Sequence, residues 1–285
     1  AQARYLLGPL CPPWVVSTWG SDVYLYGRLP RHADRLRAVL GGCDYLICDC
    51  CRDVPLARRF GGRAEVLPVF PANGGYDLAA VAALGPARPP SRRRAVALKG
   101  YQHWAGRALV GLKALELCRD RLAGYNVMIT RPSPDVRLAA ELFTAATGVP
   151  VELTDFPEHD DLLRALGTCR LHLGLSVSDG PSMAMLEAML TGAFPVQSDT
   201  ACADEWVDDG RTALLVPPED PAAVAAAVRR ALDDDALVDA AAERNAAACR
   251  RRLDRAAIAA RVVAIYRGIH HRTARPLADG LLPAA

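Results

Sequence analysis

The chain has 285 residues, of which 51% are hydrophobic and 23% charged, a composition that excludes a disordered protein. Its 34 Lys and Arg residues nearly balance 32 Asp and Glu residues, and this net charge of +2 gives no broad electrostatic reason to expect nucleic acid as a partner. No stretch approaches the roughly 20 apolar residues of a membrane-spanning helix, and the amino terminus shows no signal-peptide pattern.

Short apolar runs alternate along the chain with helical patterns. The predicted strands are Trp14–Thr18, Tyr45–Cys50, Ala64–Val69, Ala95–Leu98, Asn126–Thr130, Val151–Leu153, Leu171–Val177, Phe194–Gln197 and Ala213–Val216. The predicted helices are Arg31–Leu40, Val54–Phe60, Arg107–Leu122, Pro134–Thr147, His159–Leu166, Ser182–Leu190 and Pro221–Leu232. This alternation predicts a doubly wound, Rossmann-like α/β fold with parallel sheets covered on both faces.

A segment rich in Pro and Arg, residues 82–94, interrupts this periodicity and is predicted to be a linker. It separates a partial amino-terminal domain, 1–81, from a complete carboxyl-terminal domain, 95–268. The Ala-rich end of the second domain is predicted to be helical, and residues 269–285 are predicted to be a tail.

Nine Cys residues, an odd number scattered through the chain, indicate reduced thiols in a cytoplasmic setting. Residues 48–51 contain a C-x-x-C pattern without a second ligand pair, so we interpret them as a buried strand end. The arginine runs at 92–94 and 250–252 are typical of solvated faces, with peripheral membrane contact or polyanion contact as the minority interpretation.

The clearest chemistry follows the predicted strand Leu171–Val177. Asp179 and Gly180 form a turn, and Ser182 is the predicted N-cap of the next helix. Ligands of open α/β sheets sit at such strand-to-helix turns, and the free N–H groups of the helix start favour a phosphate. Glu187 can accept hydrogen bonds from two ribose hydroxyls. The alternative is that the two acidic residues are a capping carboxylate and a surface helix residue.

Residues 179–196 read DGPSMAMLEAMLTGAFPV, and residues 209–221 read DGRTALLVPPEDP. These segments resemble E-G-F-G-L-P-x-L-E-A-M-A-x-G-x-P-V-V and D-G-x-x-G-L-L-V-P-P-x-D-P of family 4 of the retaining glycosyltransferases, which have the two-domain GT-B architecture. The resemblance implies that Asp179, which stands in place of a Glu, meets the donor sugar. It also implies a donor-binding set of Gly180, Pro181, Ser182, Met183 and Glu187.

Family members place an Arg at the end of the first strand of this domain and a Lys soon after, and both hold the donor diphosphate. Lys99 and Arg107 occupy these positions with the two types exchanged. Together with Asp179 they are the predicted catalytic set, because two fixed cations can neutralise a diphosphate leaving group. The alternative is a strand-end surface charge and a first-turn residue. A cation at a helix start is electrostatically unfavourable, so Arg107 needs an anion nearby.

Residues 15–22, VVSTWGSD, resemble the family's strand and H-G-x-D-like turn, so Trp19, Gly20 and Asp22 are predicted to face the donor or acceptor. Trp19 stands where many members have His, and no acid–base histidine is assigned. Residues 67–77 resemble the P-N-G-V-D segment that closes the first domain. Residues 1–81 therefore correspond to the second half of the usual acceptor domain, in a fragment or in an enzyme with a reduced acceptor site.

The resemblance implies transfer of a sugar from a nucleoside diphosphate sugar to a hydroxyl acceptor (a glycan, lipid or small molecule) with retained configuration. No cofactor and no metal are expected, and Asp233–Asp235 is interpreted as a solvated acidic turn. Two alternatives stay open: a non-catalytic nucleotide-sugar-binding scaffold with a degenerate acceptor half and, less favoured, a nucleotide-sugar epimerase. The sequence does not indicate the donor base or the sugar.

Overall fold

A computed structural model describes residues 12–71, 73–84, 88–155 and 158–273. The amino-terminal part contains a three-stranded parallel sheet with the order β1-β2-β3. Its strands are β1 (Val15–Thr18), β2 (Tyr45–Cys48) and β3 (Glu65–Val66). Its helices are α1 (Ser21–Tyr24), α2 (Pro30–Leu40), α3 (Asp53–Arg58) and α4 (Leu78–Ala83).

The carboxyl-terminal part contains a six-stranded parallel sheet with the order β6-β5-β4-β7-β8-β9. Its strands are β4 (Ala95–Lys99), β5 (Asn126–Thr130), β6 (Val151–Thr154), β7 (Cys169–Gly174), β8 (Phe194–Ser198) and β9 (Leu214–Val216). Its helices are α5 (Ala108–Leu117), α6 (Pro134–Thr147), α7 (His159–Leu166), α8 (Met183–Thr191), α9 (Pro221–Asp233), α10 (Asp235–Arg252) and α11 (Arg255–Thr273).

The predicted fold class and the predicted strands and helices are confirmed, with ends shifted by a few residues. The two central strands are buried along their whole length except at Lys99, as expected when helices cover both faces of a parallel sheet. Val96 and Leu98 of β4 and Leu171 and Leu173 of β7 are all 0% exposed. They form one core with helices α5, α6 and α9.

The last helix differs from the sequence expectation. Helix α11 continues to Thr273, so 269–273 are helical where a tail was predicted, and 274–285 lie outside the described residues. Ile258 and Ile269 of this helix pack against Tyr45 and Ile47 of β2. The helix therefore returns to the amino-terminal sheet, although the predicted boundary assigns it to the other domain.

The acidic run Asp233–Asp235 organises the junction between α9 and α10. Asp233 pairs with Arg121 at 3.0 Å, and Asp234 accepts from the Leu237 backbone N–H as the N-cap of α10. Asp235 pairs at 2.6 Å with Arg170, a residue that is only 1% exposed. The guanidinium of Arg170 also donates to carbonyls at the end of α9. These acidic side chains are solvent-accessible, as predicted, but each one has a structural partner.

His172 lies in the middle of β7 and is 2% exposed, and its Nδ1 has no hydrogen-bond partner among the described residues. Burial, assisted by the positive charge of Lys99, lowers its pKa to about 3. The folded pKa lies below the unfolded value of about 6.5. The contribution of the neutral histidine to the free energy of unfolding is therefore fully present above pH 6.5 and is lost as the pH falls toward the folded pKa.

We expect this histidine to remove about 2 kcal/mol of unfolding free energy between pH 7.5 and pH 5.0, since each pKa unit corresponds to about 1.4 kcal/mol. Urea unfolding of the wild type and of His172→Gln at both pH values separates the contribution of the histidine to the free energy of unfolding from that of the carboxylates. An equal loss in both proteins would show that the histidine contributes nothing to acid sensitivity.

Candidate functional site

The order of the carboxyl-terminal strands reverses between β4 and β7. The chain winds outward from β4 to β6 and then returns to the other side of β4 for β7 to β9. In open α/β sheets, ligands bind outside the carboxyl ends of the strands at such a reversal. Lys99 ends β4, and the segment 175–182 joins β7 to α8 at the same edge. The topology thus places two of the predicted site segments side by side.

The structure brings Lys99 and Asp179 together. The Nζ of Lys99 lies 3.2 Å from Oδ2 of Asp179, and the two side chains are 15% and 31% exposed. The ammonium group is therefore held at the crevice by a partly solvated carboxylate. A more highly charged ligand can displace this carboxylate, because the pair is not sealed from water.

Arg107 has a different partner. It is the N-cap residue of α5, and its Nε donates to Oε1 of Glu219 at 2.9 Å. One guanidinium nitrogen also donates to the carbonyls of His103 and Gly106. The anion that the sequence requires near this helix start is Glu219, in the loop after β9. A role of Arg107 in holding a diphosphate stays a prediction.

Glu187 lies in the second turn of α8 and is 8% exposed. Its Oε1 lies 2.8 Å from Nε2 of His159 and 3.4 Å from the hydroxyl of Tyr76, and the two rings are stacked with centroids 5.9 Å apart. Burial and the nearby Glu187 raise the pKa of Tyr76, so its hydroxyl stays protonated and donates. Sequence reasoning missed both partners, although His159 begins a predicted helix and Tyr76 lies in the segment 67–77.

The start of α8 carries an unsatisfied polar group. Ser182 is the N-cap residue, as predicted, but its side chain makes no capping hydrogen bond. Its hydroxyl is buried and has no partner among the described residues. Pro181 is also buried, whereas Met183 is 37% exposed. An anion beside this hydroxyl and the free N–H groups of the helix start would satisfy them.

The amino-terminal turn, residues 19–22, packs directly against the loop 178–180. Gly20 has φ +94°, and a Cβ atom on it would lie 2.2 Å from the backbone nitrogen of Gly180. Trp19 is 65% exposed beside this contact. The carboxylate of Asp22 accepts from the backbone N–H groups of Trp19 and Val23, so it fixes the turn. Trp19 and Gly20 are thus at the crevice, and Asp22 shapes the turn that holds them there.

Arg52 joins the two parts of the chain and is absent from the predicted site. It donates to the carbonyl of Asp179 at 2.9 Å and to that of Thr200 at 3.1 Å, and its guanidinium lies 3.9 Å from the Tyr24 ring centroid. The carboxylate of Glu205 accepts from the backbone N–H of Arg52 at 2.9 Å. The contact across the crevice is therefore polar.

The family comparison agrees with this location. Residues 102–234 match the family model described as glycosyl transferases group 1. This part of the chain is similar to the group 1 glycosyltransferases. The matched segment contains β7, the loop 175–182 and helix α8, and it begins three residues after Lys99 ends β4. The glycosyltransferase resemblance drawn from the sequence is confirmed.

Solved glycosyltransferase structures share the fold. Sucrose-phosphate synthase from Thermosynechococcus elongatus is 19% identical with a TM-score of 0.74, over 95% of this chain and 71% of that one. The pneumococcal O-GlcNAc transferase GtfA is 14% identical with a TM-score of 0.76, over 95% and 55%. Anabaena HepE is 17% identical with a TM-score of 0.70, over 90% and 72%. The predicted GT-B architecture is therefore confirmed.

No curated protein matches the sequence. Among the described residues, no helix is long and apolar enough to cross a membrane.

Proposed function

We propose that the chain transfers a glycosyl group from a nucleoside diphosphate sugar to a hydroxyl acceptor, with retained configuration and without a metal ion. One observation carries this proposal: Lys99 meets Asp179, in the loop before α8, at the strand reversal, and this loop and helix lie in the segment that matches the glycosyltransferase model. A cation, a carboxylate and free backbone donors at one crevice suit a donor that combines phosphates with sugar hydroxyls.

Lys99 is the proposed diphosphate ligand. Its ammonium can exchange the Asp179 carboxylate for a phosphate of greater charge, which releases Asp179 for a sugar hydroxyl. As the bond between the anomeric carbon and the phosphate oxygen breaks, negative charge collects on that oxygen, and a fixed cation stabilises it. Arg107 joins Lys99 in this role if its side chain leaves Glu219, which is 67% exposed and therefore a weakly held partner.

Glu187 is the proposed ribose ligand. His159 and Tyr76 both contact Oε1, so Oε2 is the oxygen that we assign to the ribose hydroxyls. The two aromatic partners hold the carboxylate in one orientation, which lowers the entropic cost of binding the nucleoside.

The acceptor is proposed to approach between the turn at 19–22 and the loop 178–180. By family resemblance, the acceptor oxygen bonds to the anomeric carbon on the face that the diphosphate leaves, and the leaving phosphate oxygen takes the acceptor proton. This step requires no protein nucleophile, and the fixed cation at Lys99 supplies the electrostatic stabilisation that a metal gives in other transferases.

Uridine nucleotides are the first donors to test. The GtfA structure is a complex with UDP and GlcNAc, the HepE structure is a complex with UDP-glucose, and a third similar structure, Staphylococcus aureus TarM, contains UDP and alpha-GlcNAc-glycerol. Nothing in the residues of this chain selects uridine over guanosine.

A thermal-shift panel tests the binding half of this proposal. UDP, GDP, ADP, TDP and their sugars are compared in EDTA and then with Mg²⁺. A ligand at 100 times its dissociation constant adds about 2.7 kcal/mol, which corresponds to a Tm rise of roughly 5 °C or more for a chain of this size. We expect this rise with one base and in EDTA. A rise that requires Mg²⁺ would contradict metal independence, and no rise with any nucleotide would contradict the donor site.

A non-catalytic nucleotide-sugar-binding scaffold is the second candidate. The observations that favour it are Trp19, which stands where many family members have His, and Asp179, which stands in place of Glu. Turnover of any nucleotide sugar, including slow hydrolysis, would exclude it. A nucleotide-sugar epimerase ranks lower because residues 209–221 fit the transferase pattern.

A further inference from the structure

Two buried thiols face each other across the contact between the two parts of the chain. Cys50 follows β2, and Cys202 follows β8, 152 positions later. Their sulfur atoms lie 2.9 Å apart, and the residues are only 1% and 3% exposed. Both thiols are reduced in this structure. Cys50 is adjacent to the Cys51–Arg52 segment whose backbone N–H groups bind Glu205.

The carboxylate of Asp53 completes a group of three donor atoms within 4.8 Å, so a metal site is the competing interpretation. Two thiolates on one zinc ion, at about 2.3 Å each in a tetrahedral site, are roughly 3.8 Å apart. A disulfide has its sulfur atoms about 2.0 Å apart. The observed separation of 2.9 Å lies between these two values, so the nearby charge decides. The Arg52 guanidinium lies 3.0 Å from Oδ1 of Asp53, where it opposes a second cation. The direct contact of the two sulfur atoms, beside a carboxylate that already pairs with a cation, favours a sulfur–sulfur bond over a metal site.

We propose that Cys50 and Cys202 are a redox modification site, at which a low-molecular-weight disulfide converts the two thiols into a reversible bond between the domains. One thiol loses its proton to solvent, and its thiolate attacks the reagent disulfide and expels one reagent thiolate. The second cysteine, after losing its proton, displaces the other reagent thiolate. Two S–H bonds and the reagent S–S bond are lost, one protein S–S bond forms, and the reagent leaves as two thiols.

The environment determines when this reaction occurs. The hydrogen bond with Cys202, together with burial, raises the pKa of the Cys50 thiol, so the thiol in this structure is a poor nucleophile with little access to a reagent. In this proposal the reaction begins when the two parts separate and expose both thiols, and the completed disulfide then fixes the arrangement of this structure. The bond lies beside the contacts of Arg52 with Asp179 and Thr200, so it keeps the two parts of the chain in contact at the crevice.

The test uses the full chain, reduced and then equilibrated in glutathione buffers of increasing oxidised fraction, followed by alkylation, tryptic digestion and mass spectrometry. The peptide 171–211 contains Cys202 as its single cysteine, whereas the peptide 38–52 contains Cys50 together with Cys43, Cys48 and Cys51. We expect these two peptides to become linked and dithiothreitol to separate them. The exposed neighbour Cys51 provides the matched control: linkage persists in Cys51→Ser and is lost in Cys50→Ser and in Cys202→Ala.

Oxidation is also expected to raise the Tm of the wild type and of Cys51→Ser by about 5 °C or more, because the bond closes a long loop. Peptides that stay unlinked under oxidising buffer, or linkage that survives in Cys50→Ser, would overturn the proposal. One equivalent of zinc that protects both thiols until a chelator removes it would replace the redox site with a metal site. None of these measurements requires a nucleotide, so they are independent of the proposed transferase activity.

Discussion

Replacement of Lys99 by Ala is expected to weaken the binding of a nucleoside diphosphate by about 100-fold. A charged hydrogen bond to phosphate contributes about 1.5–3 kcal/mol, and the 15% exposure of this side chain limits screening by water. Isothermal titration calorimetry with the nucleotide identified by the thermal-shift panel measures the change. The Tm of Lys99→Ala without nucleotide should differ little from that of the wild type, because the partner Asp179 is partly solvated.

The matched control for this variant is Lys113→Ala. Lys113 lies on α5, is 54% exposed and pairs with Glu116 on the same helix, so its removal leaves the crevice unchanged. We expect normal affinity in the control and partial recovery of affinity in Lys99→Arg, which keeps the charge. Equal affinities of Lys99→Ala and the wild type would show that the diphosphate does not lie on Lys99.

Replacement of Gly20 by Ala is expected to separate the amino-terminal turn from the loop 178–180. The new Cβ would lie 2.2 Å from the backbone nitrogen of Gly180, and the residue would be held at φ +94°. Backbone strain of this kind costs about 1–3 kcal/mol, and relief of the clash must also break contacts such as the one between Ser21 and Ser178. We expect a loss of at least about 3 kcal/mol in urea unfolding, together with weaker nucleotide binding.

The control variant Gly61→Ala separates the cost of backbone strain from the cost of the clash. Gly61 has φ +83°, and a Cβ on it would meet nothing within 4 Å, so this control carries the backbone strain without the clash. The difference between the two variants in the free energy of unfolding measures the cost of disturbing the contact between the amino-terminal turn and the loop 178–180. If both variants lose the same stability and both bind nucleotide normally, the turn does not form part of the donor crevice.

The fold could be predicted because its signals are local. Buried parallel strands are continuous apolar runs, and Gly192 ends α8 in the left-handed conformation that the sequence indicates. The strand-to-helix loop at 178–182 could also be predicted, since the N-cap and the apolar strand before it are neighbours in sequence. Its position at the strand reversal then follows from the sheet order.

The side-chain partners could not be predicted, because distant segments supply them. Glu219 lies 112 residues beyond Arg107, and His159 and Tyr76 reach Glu187 from two other segments. Sequence spacing carries no information about such contacts. For the same reason the sequence indicates only a buried strand end at residues 48–51, because the partner of Cys50 is 152 positions away.

The packing of the last helix had no sequence signal either. Helix propensity predicts that the Ala-rich segment is helical but not which sheet it covers. Ile258 and Ile269 are separated by three turns of α11, and only the folded chain shows that both lie on the amino-terminal sheet.

The most direct test of the proposed function is a transfer assay in EDTA. The nucleotide sugars that bind are incubated with glycan, lipid and small-molecule acceptors, and release of the nucleoside diphosphate is followed alongside the anomeric configuration of the product by NMR. We expect release that EDTA does not affect and that Lys99→Ala abolishes, with a product of the donor's configuration. A chain that binds the donor but releases no nucleoside diphosphate, even by hydrolysis, would contradict a transferase and support a scaffold.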